Sequence, residues 1–358
     1  MSKRILLVIG GLATGGSERQ LLYLVEALRG QEHEVTVAVW NFRDTDVYVA
    51  PIRATGATVV SIEKRGRGNK VFALGRLLRA SKFDVVQSFS FYLNVGVALA
   101  AVGTGTLAIG SVRSTLALAA TESGPVLGRV SARWPAVQVY NNAFAAAEAR
   151  RRLWWRPRWI AIVANHIDVE RFPDVEVPRN RTIAAIGSLT PVKRWERLIA
   201  LAARLRDRGI EASVVIAGEG PQRPFLEAEI ARCGLQDRVT LLGYVPDVQR
   251  VLAGCAFLMH VSSSEGSPNA IIEALAAGRA VIATDVGDVP RLVCDGETGF
   301  VVPFESDDVL YERAALLLTR YDLSVAMGRC ARRLARERFG SASLAHETLE
   351  AYRLGGNR

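Results

Sequence analysis

Two hydrophobic patterns alternate along most of this chain. Short apolar runs such as RILLVIG and EVTVAVW are typical of buried strands, whereas ERQLLYLVEALRG has the spacing of an amphipathic helix. The alternation resumes at TIAAIGSL and continues to AVIATDV. Strands that alternate with helices form βαβ units with parallel sheets. The pattern therefore predicts an α/β fold with two doubly wound, Rossmann-like domains, which would face each other across a ligand-binding cleft.

The polar segment NHIDVERFPDVEVPRNR contains two prolines and no sustained period, which is typical of a linker. We therefore predict a first domain over residues 1–165, a linker over 166–180 and a second domain over 181–340. The sequence from about Asp322 to Tyr352 is strongly helical and rich in charges. We expect residues 341–358 to form a C-terminal helix that returns to the first domain.

Two segments imitate membrane signals. MSKRILLVIGGLA has the basic start and short apolar run of a secretory signal, but no convincing cleavage site follows, so we interpret it as a buried first strand. The sequence between Asp84 and Arg113 carries no charge, as in a membrane span. Glycine and threonine at 103–106 interrupt it, which predicts a helix of about 12 residues followed by a strand.

The composition narrows the class of protein. Of the 358 residues, 49% are hydrophobic and 23% are charged, which excludes disordered and collagen-like chains. The four cysteines lie far apart, with no Cys-x-x-Cys pair and no clustered histidines. We therefore expect no metal site, no disulfide framework and a reducing, cytoplasmic compartment.

The net charge of +9 lies mostly in the first half, because residues 1–178 hold 22 Lys and Arg against 14 Asp and Glu. Two segments concentrate it: EKRGRGNK at 63–70, and ARRRLWWRPRW at 149–159 with Arg150, Arg151 and Arg152. They are either a solvated face with tryptophans in the core, or a surface that contacts an anionic membrane. No nucleic-acid-binding motif accompanies the charge, so we expect no nucleic acid partner.

The stretch SSSEGSPNAIIEALAAG at 262–278 predicts a helix over about Pro268–Ala277. Ser267 is the expected N-cap, Pro268 takes the first helical position and Gly278 follows the end.

Two glutamates of this stretch are eight residues apart. Glu265 lies on the loop after the strand AFLMHVS, and Glu273 lies inside an apolar helix, one turn after Asn269. A carboxylate there is costly unless it meets water or a hydrogen-bonding partner. Asn269 and Glu273 therefore form a solvated stripe, or Glu273 binds a ligand.

Several motifs occur in order: NHIDVERF, GSLTPVKRWERLI, VVIAGEGP, DRVTLLGYVPDV and SSSEGSPNAIIEALAAGRAVIATDVGDVPRLV. Together they resemble the retaining glycosyltransferases of the GT-B fold, the large family-4 group. The likeness is strongest over residues 165–303 and weaker in GGLATGGSERQLLYLVEAL.

The resemblance implies roles for particular residues. Glu273 would accept hydrogen bonds from the ribose of a sugar nucleotide, and Glu265 would lie beside the reacting anomeric carbon. Lys193 would hold the donor diphosphate and stabilise the leaving group. The remaining expected donor contacts are made by the backbone of Gly266, Ser267, Pro268 and Asn269, by Tyr244, and by Gly15 and Gly16 on the donor or acceptor side.

The chain also departs from the family pattern. Ser188 and Arg194 are further expected donor contacts. Ser188 stands where many members have an arginine, and Arg194 or Arg113 is the expected substitute. The segment VVQSFSF around Gln87 lacks the histidine that is often found after the fourth strand. His166 stands where glycine is usual, and we expect a turn residue there. The glycines of GGLATGG do not have the Gly-x-Gly-x-x-Gly spacing of a dinucleotide site.

The resemblance predicts an enzyme that moves a sugar from a nucleoside diphosphate-sugar to a glycan or lipid-linked acceptor, with retention and without a metal or cofactor. The second domain would bind the donor. The first would bind the acceptor, with Arg113 and Arg150 to Arg152 facing the acceptor or an anionic membrane. A sugar-nucleotide epimerase and a catalytically silent sugar-nucleotide binding module remain alternatives.

Overall fold

The computed structural model describes residues 2–62, 66–153, 156–340 and 343–356. The chain divides into two compact units. Unit 1 comprises Met1–His166 and Ser341–Arg358, and unit 2 comprises Ile167–Gly340.

Unit 1 is built on a parallel sheet, in which the described residues form seven strands in the order β3-β2-β1-β4-β5-β6-β7. The strands are β1 (Arg4–Ile9), β2 (Glu34–Val39), β3 (Thr58–Ser61), β4 (Val85–Ser88), β5 (Leu107–Val112), β6 (Val137–Tyr140) and β7 (Trp159–Ile162). Ile5 in β1 pairs with Val35 on one side and Val85 on the other, and it is fully buried. The predicted buried first strand is therefore confirmed. The strand order reverses between β1 and β4, where such sheets bind ligands.

Helices connect the strands of this sheet. They are α1 (Gly16–Gly30), α2 (Val49–Ala54), α3 (Arg67–Ser81), α4 (Asn94–Ala101), α5 (Leu116–Glu122), α6 (Pro125–Ser131) and α7 (Ala143–Arg152). The uncharged segment divides into a 3-10 helix, Phe91–Leu93, the helix α4 and the strand β5. The predicted helix and strand are therefore both present, although α4 has 8 residues rather than about 12. In the described parts of the chain, no helix combines the length and the apolar character that crossing a bilayer requires.

Unit 2 contains a second parallel sheet, with six strands among its described residues in the order β10-β9-β8-β11-β12-β13. The strands are β8 (Thr182–Ile186), β9 (Ser213–Ala217), β10 (Val239–Gly243), β11 (Phe257–His260), β12 (Ala280–Thr284) and β13 (Gly299–Val302). The helices are α8 (Glu196–Asp207), α9 (Arg223–Arg232), α10 (Val248–Ala253), α11 (Asn269–Ala276), α12 (Val289–Leu292), α13 (Asp307–Thr319) and α14 (Tyr321–Phe339). This order reverses between β8 and β11, so the loops after these two strands flank the expected ligand crevice.

The segment that follows His166 packs within unit 2. It contains a short 3-10 helix, Val169–Arg171, and the buried side chains of Phe172 and Val177. Arg332 of α14 donates to the carbonyl of Phe172 at 3.0 Å, and Tyr321 donates to that of Val177 at 2.8 Å. Much of the polar segment is therefore fixed by hydrogen bonds.

The last helix, α15 (Leu344–Gly356), belongs to unit 1. The buried hydroxyl of Tyr352 donates to Gln87 Oε1 at 2.6 Å. His166, which we expected to be a turn residue, is buried instead: its ring nitrogens bond to the carbonyl of Ala164 and to Ser343 Oγ. These contacts hold the C-terminal helix against the sheet of unit 1.

Candidate active site

The loop after β8 positions Lys193 at the reversal point of the unit 2 sheet. A Cβ on Gly187 would lie 3.2 Å from Lys193 Cε and 3.2 Å from Trp195 Cζ2, so the missing side chain makes room for both residues. Trp195 is fully buried, and its Nε1 donates to the carbonyl of Ser188 at 3.0 Å. A 3-10 helix, Pro191–Lys193, carries the lysine at its end. The backbone of the loop therefore fixes where the ammonium group lies.

The loop after β11 brings Glu265 against this lysine. Lys193 Nζ donates to Glu265 Oε1 at 2.6 Å, and His260 Nε2 lies 2.9 Å from the same oxygen. The backbone N–H of Ser263 donates to the carbonyl of Val192 at 2.8 Å and so joins the two loops. The side chain of Glu265 is 12% exposed and that of Lys193 17%. The structure thus places an ammonium, a carboxylate and an imidazole together at the strand-order reversal of the unit 2 sheet.

Burial and hydrogen bonding have opposite effects on the pKa of Glu265. Burial by itself raises the pKa of this carboxyl, but the hydrogen bonds and charges of His260 and Lys193 outweigh it and hold the pKa well below its ordinary value. Burial lowers the pKa of His260, against the influence of Glu265. At neutral pH we therefore assign an ionised Glu265 and a neutral His260 whose Nε2–H donates to it.

A third loop, which follows β12, packs against the segment that carries Glu265. Gly287 has φ +57°, and a Cβ at this position would lie 1.9 Å from the carbonyl oxygen of Glu265. The N–H of Asp288 donates to the carbonyl of Gly266 at 3.1 Å. Because no side chain fits between these backbones, glycine at position 287 permits the observed course of the loop that carries Glu265.

Helix α11 carries the second glutamate. Glu273 is 3% exposed, so the interpretation of Glu273 as part of a solvated stripe is wrong. The predicted N-cap is also wrong: α11 begins at Asn269 with Pro268 as its N-cap, and Ser267 lies one residue earlier. The extended backbone of Pro268, with ψ 116°, keeps the proline out of the first helical turn. Gly266 and Ser267 therefore form the turn between Glu265 and the helix.

Three other residues expected to bind the donor make no hydrogen bond to this cluster within the described ranges. Arg194 Nε donates to Glu196 Oε1 at 2.6 Å, so its guanidinium group is already engaged. Ser188 is exposed on the loop after β8. Tyr244 follows β10, which is separated from β8 by β9, and its side chain is 46% exposed. The described hydrogen bonds join Lys193 and His260 to Glu265 and include none of these three side chains.

In unit 1, the loop after β1 leads directly into α1. Gly15 is the N-cap of this helix and Gly16 is its first residue. A Cβ on Gly15 would lie 2.2 Å from Glu18 Oε2, so the side chain of Glu18 folds back over the start of the helix. Gly16 and Glu18 line a cavity of about 780 Å³ at the carboxyl ends of β1, β2, β4 and β5.

Arg113 lies in the wall of this unit 1 cavity. Its Nη2 donates to Asn165 Oδ1 at 2.8 Å, and its guanidinium carbon lies 4.3 Å from the centroid of the Phe89 ring. Burial lowers the pKa of Arg113 to about 10, and the charge of Glu18 partly offsets that shift. Arg113 therefore remains cationic at neutral pH, although it is largely withdrawn from water.

The arginines at 150–152 lie at the last turn of α7 and are exposed. Arg152 pairs with Glu148 at 3.0 Å, and Arg150 donates to the carbonyl of Ile160 at 3.2 Å. Trp159 is 40% exposed, so the interpretation that places it in the core is wrong. Residues 63–65 and 154–155 of the two basic segments lie outside the described residues.

Sequence reasoning missed three side chains that the structure brings into these sites. His260 is the one ionisable residue in the apolar strand AFLMHVS, which was an available signal. Glu18 had no such signal, since it resembles an ordinary charge on an amphipathic helix. Lys70, which lines the unit 1 cavity, was noted only as part of the basic segment EKRGRGNK. Across the described ranges, no three His, Cys, Asp or Glu side chains are grouped as a metal site would require.

Models of two protein families match this chain, one in each unit. A model described as "Glycosyl transferases group 1" matches residues 167–334, and one described as "Glycosyl transferase 4-like domain" matches residues 15–166.

Curated relatives match at moderate identity. The alpha-D-kanosaminyltransferase of Streptomyces kanamyceticus is 37% identical over 33% of this chain and 31% of its own length. A Campylobacter jejuni alpha-1,4-N-acetyl-D-galactosaminyltransferase, whose name specifies a diphospho-undecaprenol-linked saccharide, is 26% identical over 88% of this chain and 89% of its own. The chain spans between 31% and 54% of the length of four of the curated relatives it matches.

Solved structures match over nearly the whole chain. Anabaena HepE in complex with UDP-glucose has a TM-score of 0.84 at 18% identity, covering 98% of this chain and 100% of that one. Staphylococcus aureus TarM has a TM-score of 0.82 at 12% identity, covering 98% and 99%. The predicted GT-B fold class is confirmed.

Proposed function

Because this chain belongs to the group 1 glycosyl transferases, we propose that it transfers a sugar from a nucleoside diphosphate-sugar to an acceptor with retention of the anomeric configuration. The observation that carries the proposal is the Lys193–Glu265–His260 cluster at the strand-order reversal of unit 2. A ligand crevice lies at this place in doubly wound sheets.

Lys193 can bond to the leaving group while it keeps its hydrogen bond to Glu265. An ammonium group has three N–H donors, and one of them already bonds to Glu265. The others are free to bond to the diphosphate, which gains negative charge as the bond to the sugar breaks. Such a cation stabilises the transition state more than the bound donor, and that difference accelerates the reaction.

Glu265 and Glu273 have separate roles in this proposal. Ionised Glu265 lies next to the anomeric carbon and stabilises positive charge that develops there. His260, which donates to Glu265, holds its carboxylate in one orientation. Glu273, buried on α11, accepts hydrogen bonds from the ribose hydroxyls of the donor. None of the proposed steps uses a metal or a cofactor.

The acceptor is proposed to be a glycan precursor linked to a lipid or destined for the cell surface. The name of the Campylobacter jejuni relative, which specifies a diphospho-undecaprenol-linked saccharide, supports this class. The exposed arginines at the end of α7 favour a position on an anionic membrane face in the cytoplasm.

Saturation-transfer NMR with UDP-, GDP-, ADP- and TDP-sugars tests the donor site. We expect one nucleotide to bind, and Glu273→Ala to weaken that binding. With a donor and an acceptor extract, a transferase releases nucleoside diphosphate and forms a glycoside whose anomeric coupling reports retention. Conversion of the donor without release indicates an epimerase. Binding without any conversion indicates a silent module, and binding to none of the four overturns the proposal.

A further inference from the structure

Charged and aromatic side chains together line the unit 1 cavity. Residues after four strands line it: Glu18 after β1, Trp40 after β2, Tyr92 after β4 and Arg113 after β5. Its volume of about 780 Å³ falls in the range of small-molecule sites. Since the carboxyl ends of β1 and β4 flank the strand-order reversal of this sheet, the cavity lies where a ligand is expected.

The formal charge of the cavity wall is positive. Among the described residues that line it, Arg67, Lys70 and Arg113 are cations and Glu18 is the one carboxylate. Arg113 Nε is enclosed and has no hydrogen-bond partner among the described residues, whereas Nη2 is bound to Asn165. A guanidinium group that is withdrawn from water and only partly paired favours an anion.

Lys70 extends the cationic wall toward the end of β2. Its Nζ donates to Asn41 Oδ1 at 3.1 Å and lies 5.5 Å from the centroid of the Trp40 ring. It also donates to the carbonyl of Trp40. Two of these partners are neutral oxygens and the third is a ring face, so no carboxylate of the described residues neutralises its positive charge.

The aromatic walls suit a ring or chain next to the anion. Phe89 is buried beneath Arg113, and Tyr92, 37% exposed, borders the cavity. A sugar ring or a hydrocarbon chain packs well against such faces. A phosphate matches the cations better than a carboxylate, because its charge of about −2 balances an excess of two cations and it has more acceptor oxygens.

We propose that this cavity is the acceptor subsite and that it binds a phosphate-bearing acceptor, with Arg113, Lys70 and Arg67 around the phosphate. The inference rests on the proposed transferase function, which it deepens by naming the acceptor's chemistry. The phosphate belongs either to a free sugar phosphate or to a lipid diphosphate, and both carry the same recognised group.

Isothermal titration of the full chain with three compounds tests the inference: glucose 1-phosphate, farnesyl diphosphate in detergent micelles, and glucose. We expect glucose 1-phosphate, farnesyl diphosphate or both to bind, and we expect glucose not to bind. Binding of glucose 1-phosphate alone identifies a free sugar phosphate, and binding of farnesyl diphosphate alone identifies a lipid-borne group.

Matched variants locate the site. Lys70→Gln should weaken binding of the phosphate by at least about tenfold, because a charge-assisted hydrogen bond is lost. Arg76→Gln, an exposed charge loss on the same helix, should not change it. Arg113→Gln should have at least the effect of Lys70→Gln. If it does not fold, the double variant Arg67→Gln, Lys70→Gln takes its place.

Lys193→Ala separates this inference from the proposed function. If the phosphate compounds bind in unit 1, they should still bind to Lys193→Ala. The inference is overturned if Lys193→Ala abolishes their binding while Lys70→Gln keeps it, if Lys70→Gln equals Arg76→Gln, or if glucose binds as tightly as glucose 1-phosphate. Nucleotide binding to unit 2 can survive each of those results. Failure of the nucleotide panel alone overturns the proposed function, and with it the acceptor role of the cavity, but it leaves the phosphate site in unit 1 standing.

Discussion

The ammonium of Lys193 and the carboxylate of Glu265 follow two adjacent strands of one sheet and form an ion pair with 2.6 Å between Nζ and Oε1. Both side chains are largely shielded from water, so removal of one partner leaves the other charge poorly compensated. The pair is therefore a sensitive point for both turnover and stability.

Lys193→Ala should lower turnover by about two to three powers of ten, the scale of losing one electrostatic stabiliser. Lys193→Arg should restore only part of it, because a planar guanidinium does not occupy the position of an ammonium. Steady-state kinetics with the identified donor measures both variants. Arg204→Ala, which removes a surface ion pair with Asp308, serves as the control. Normal turnover of Lys193→Ala would show that the diphosphate is bound elsewhere.

Glu273→Ala should weaken donor binding by about 1–3 kcal/mol, since the ribose hydroxyls lose a charged acceptor in a buried site. Calorimetric titration of the nucleoside diphosphate measures the change, and near-UV circular dichroism verifies the fold. Glu312→Ala removes an exposed carboxylate from α13 and should leave the affinity as it is. Equal affinities in all three proteins would rule out contact between Glu273 and the donor.

Acidification should destabilise the protein in two pH ranges, one set by His260 and one by Glu265. The folded-state pKa of His260 is lowered below its ordinary 6.5, so the unfolded chain takes up the proton first and stability falls as the pH drops from 7 through 6.5. The lowered pKa of Glu265 contributes stability above 4.5 that is lost as the pH falls below that value.

His260→Gln isolates the first range, because its amide stays neutral while it can still donate a hydrogen bond. Between pH 7.5 and 5.0, the melting temperature of the unmodified protein should fall further than that of the variant. Thermal denaturation at both pH values makes the comparison. An equal fall in both proteins would mean that His260 does not titrate differently in the folded and unfolded chains.

Two glycine substitutions separate backbone strain from steric overlap. Gly287 and Gly296 both have positive φ, +57° and +78°, so alanine is strained at each. Only at Gly287 does a Cβ meet a backbone atom, the carbonyl oxygen of Glu265 at 1.9 Å, whereas Gly296 faces open space. Gly287→Ala should therefore lower the melting temperature more than Gly296→Ala, and it alone should reduce turnover. Comparable losses in both would indicate that the loop moves aside easily.

The membrane proposal is tested by sedimentation with liposomes. Each basic residue near an anionic leaflet contributes on the order of 1 kcal/mol, so replacing Arg150, Arg151 and Arg152 with Gln should release the protein from anionic liposomes. High salt should do the same. Replacement of three exposed arginines of α14, Arg329, Arg333 and Arg338, is the matched control. Equal sedimentation with neutral and anionic liposomes would exclude an electrostatic attachment.

Local patterns in the sequence predicted the type of most elements, because buried parallel strands such as β1 are continuous apolar runs. The helix that carries Glu273 was also predicted, although its start was placed one residue too early. The error arose because residue type suggested Ser267 as the cap, whereas the backbone angles of Pro268 determine where α11 begins.

The order of the strands and the contacts made across them could not be read from the same patterns. Lys193 and Glu265 are 72 residues apart in sequence, and their contact depends on the adjacency of β8 and β11. Their individual roles came from a resemblance. The bond of His260 to Glu265 came from neither source, since one ionisable residue in an apolar strand does not reveal its partner.

The path of the chain has a consequence for biosynthesis. Residues 167–340 form unit 2 as one continuous piece, whereas unit 1 also includes α15, which follows unit 2 in the chain. A ribosome therefore completes unit 2 while the Tyr352 partner of Gln87 has yet to emerge. Domains usually fold in the order in which they are translated. Here the synthesis of unit 1 begins before that of unit 2 and is completed after it, so a truncation that removes α15 should damage the fold of unit 1.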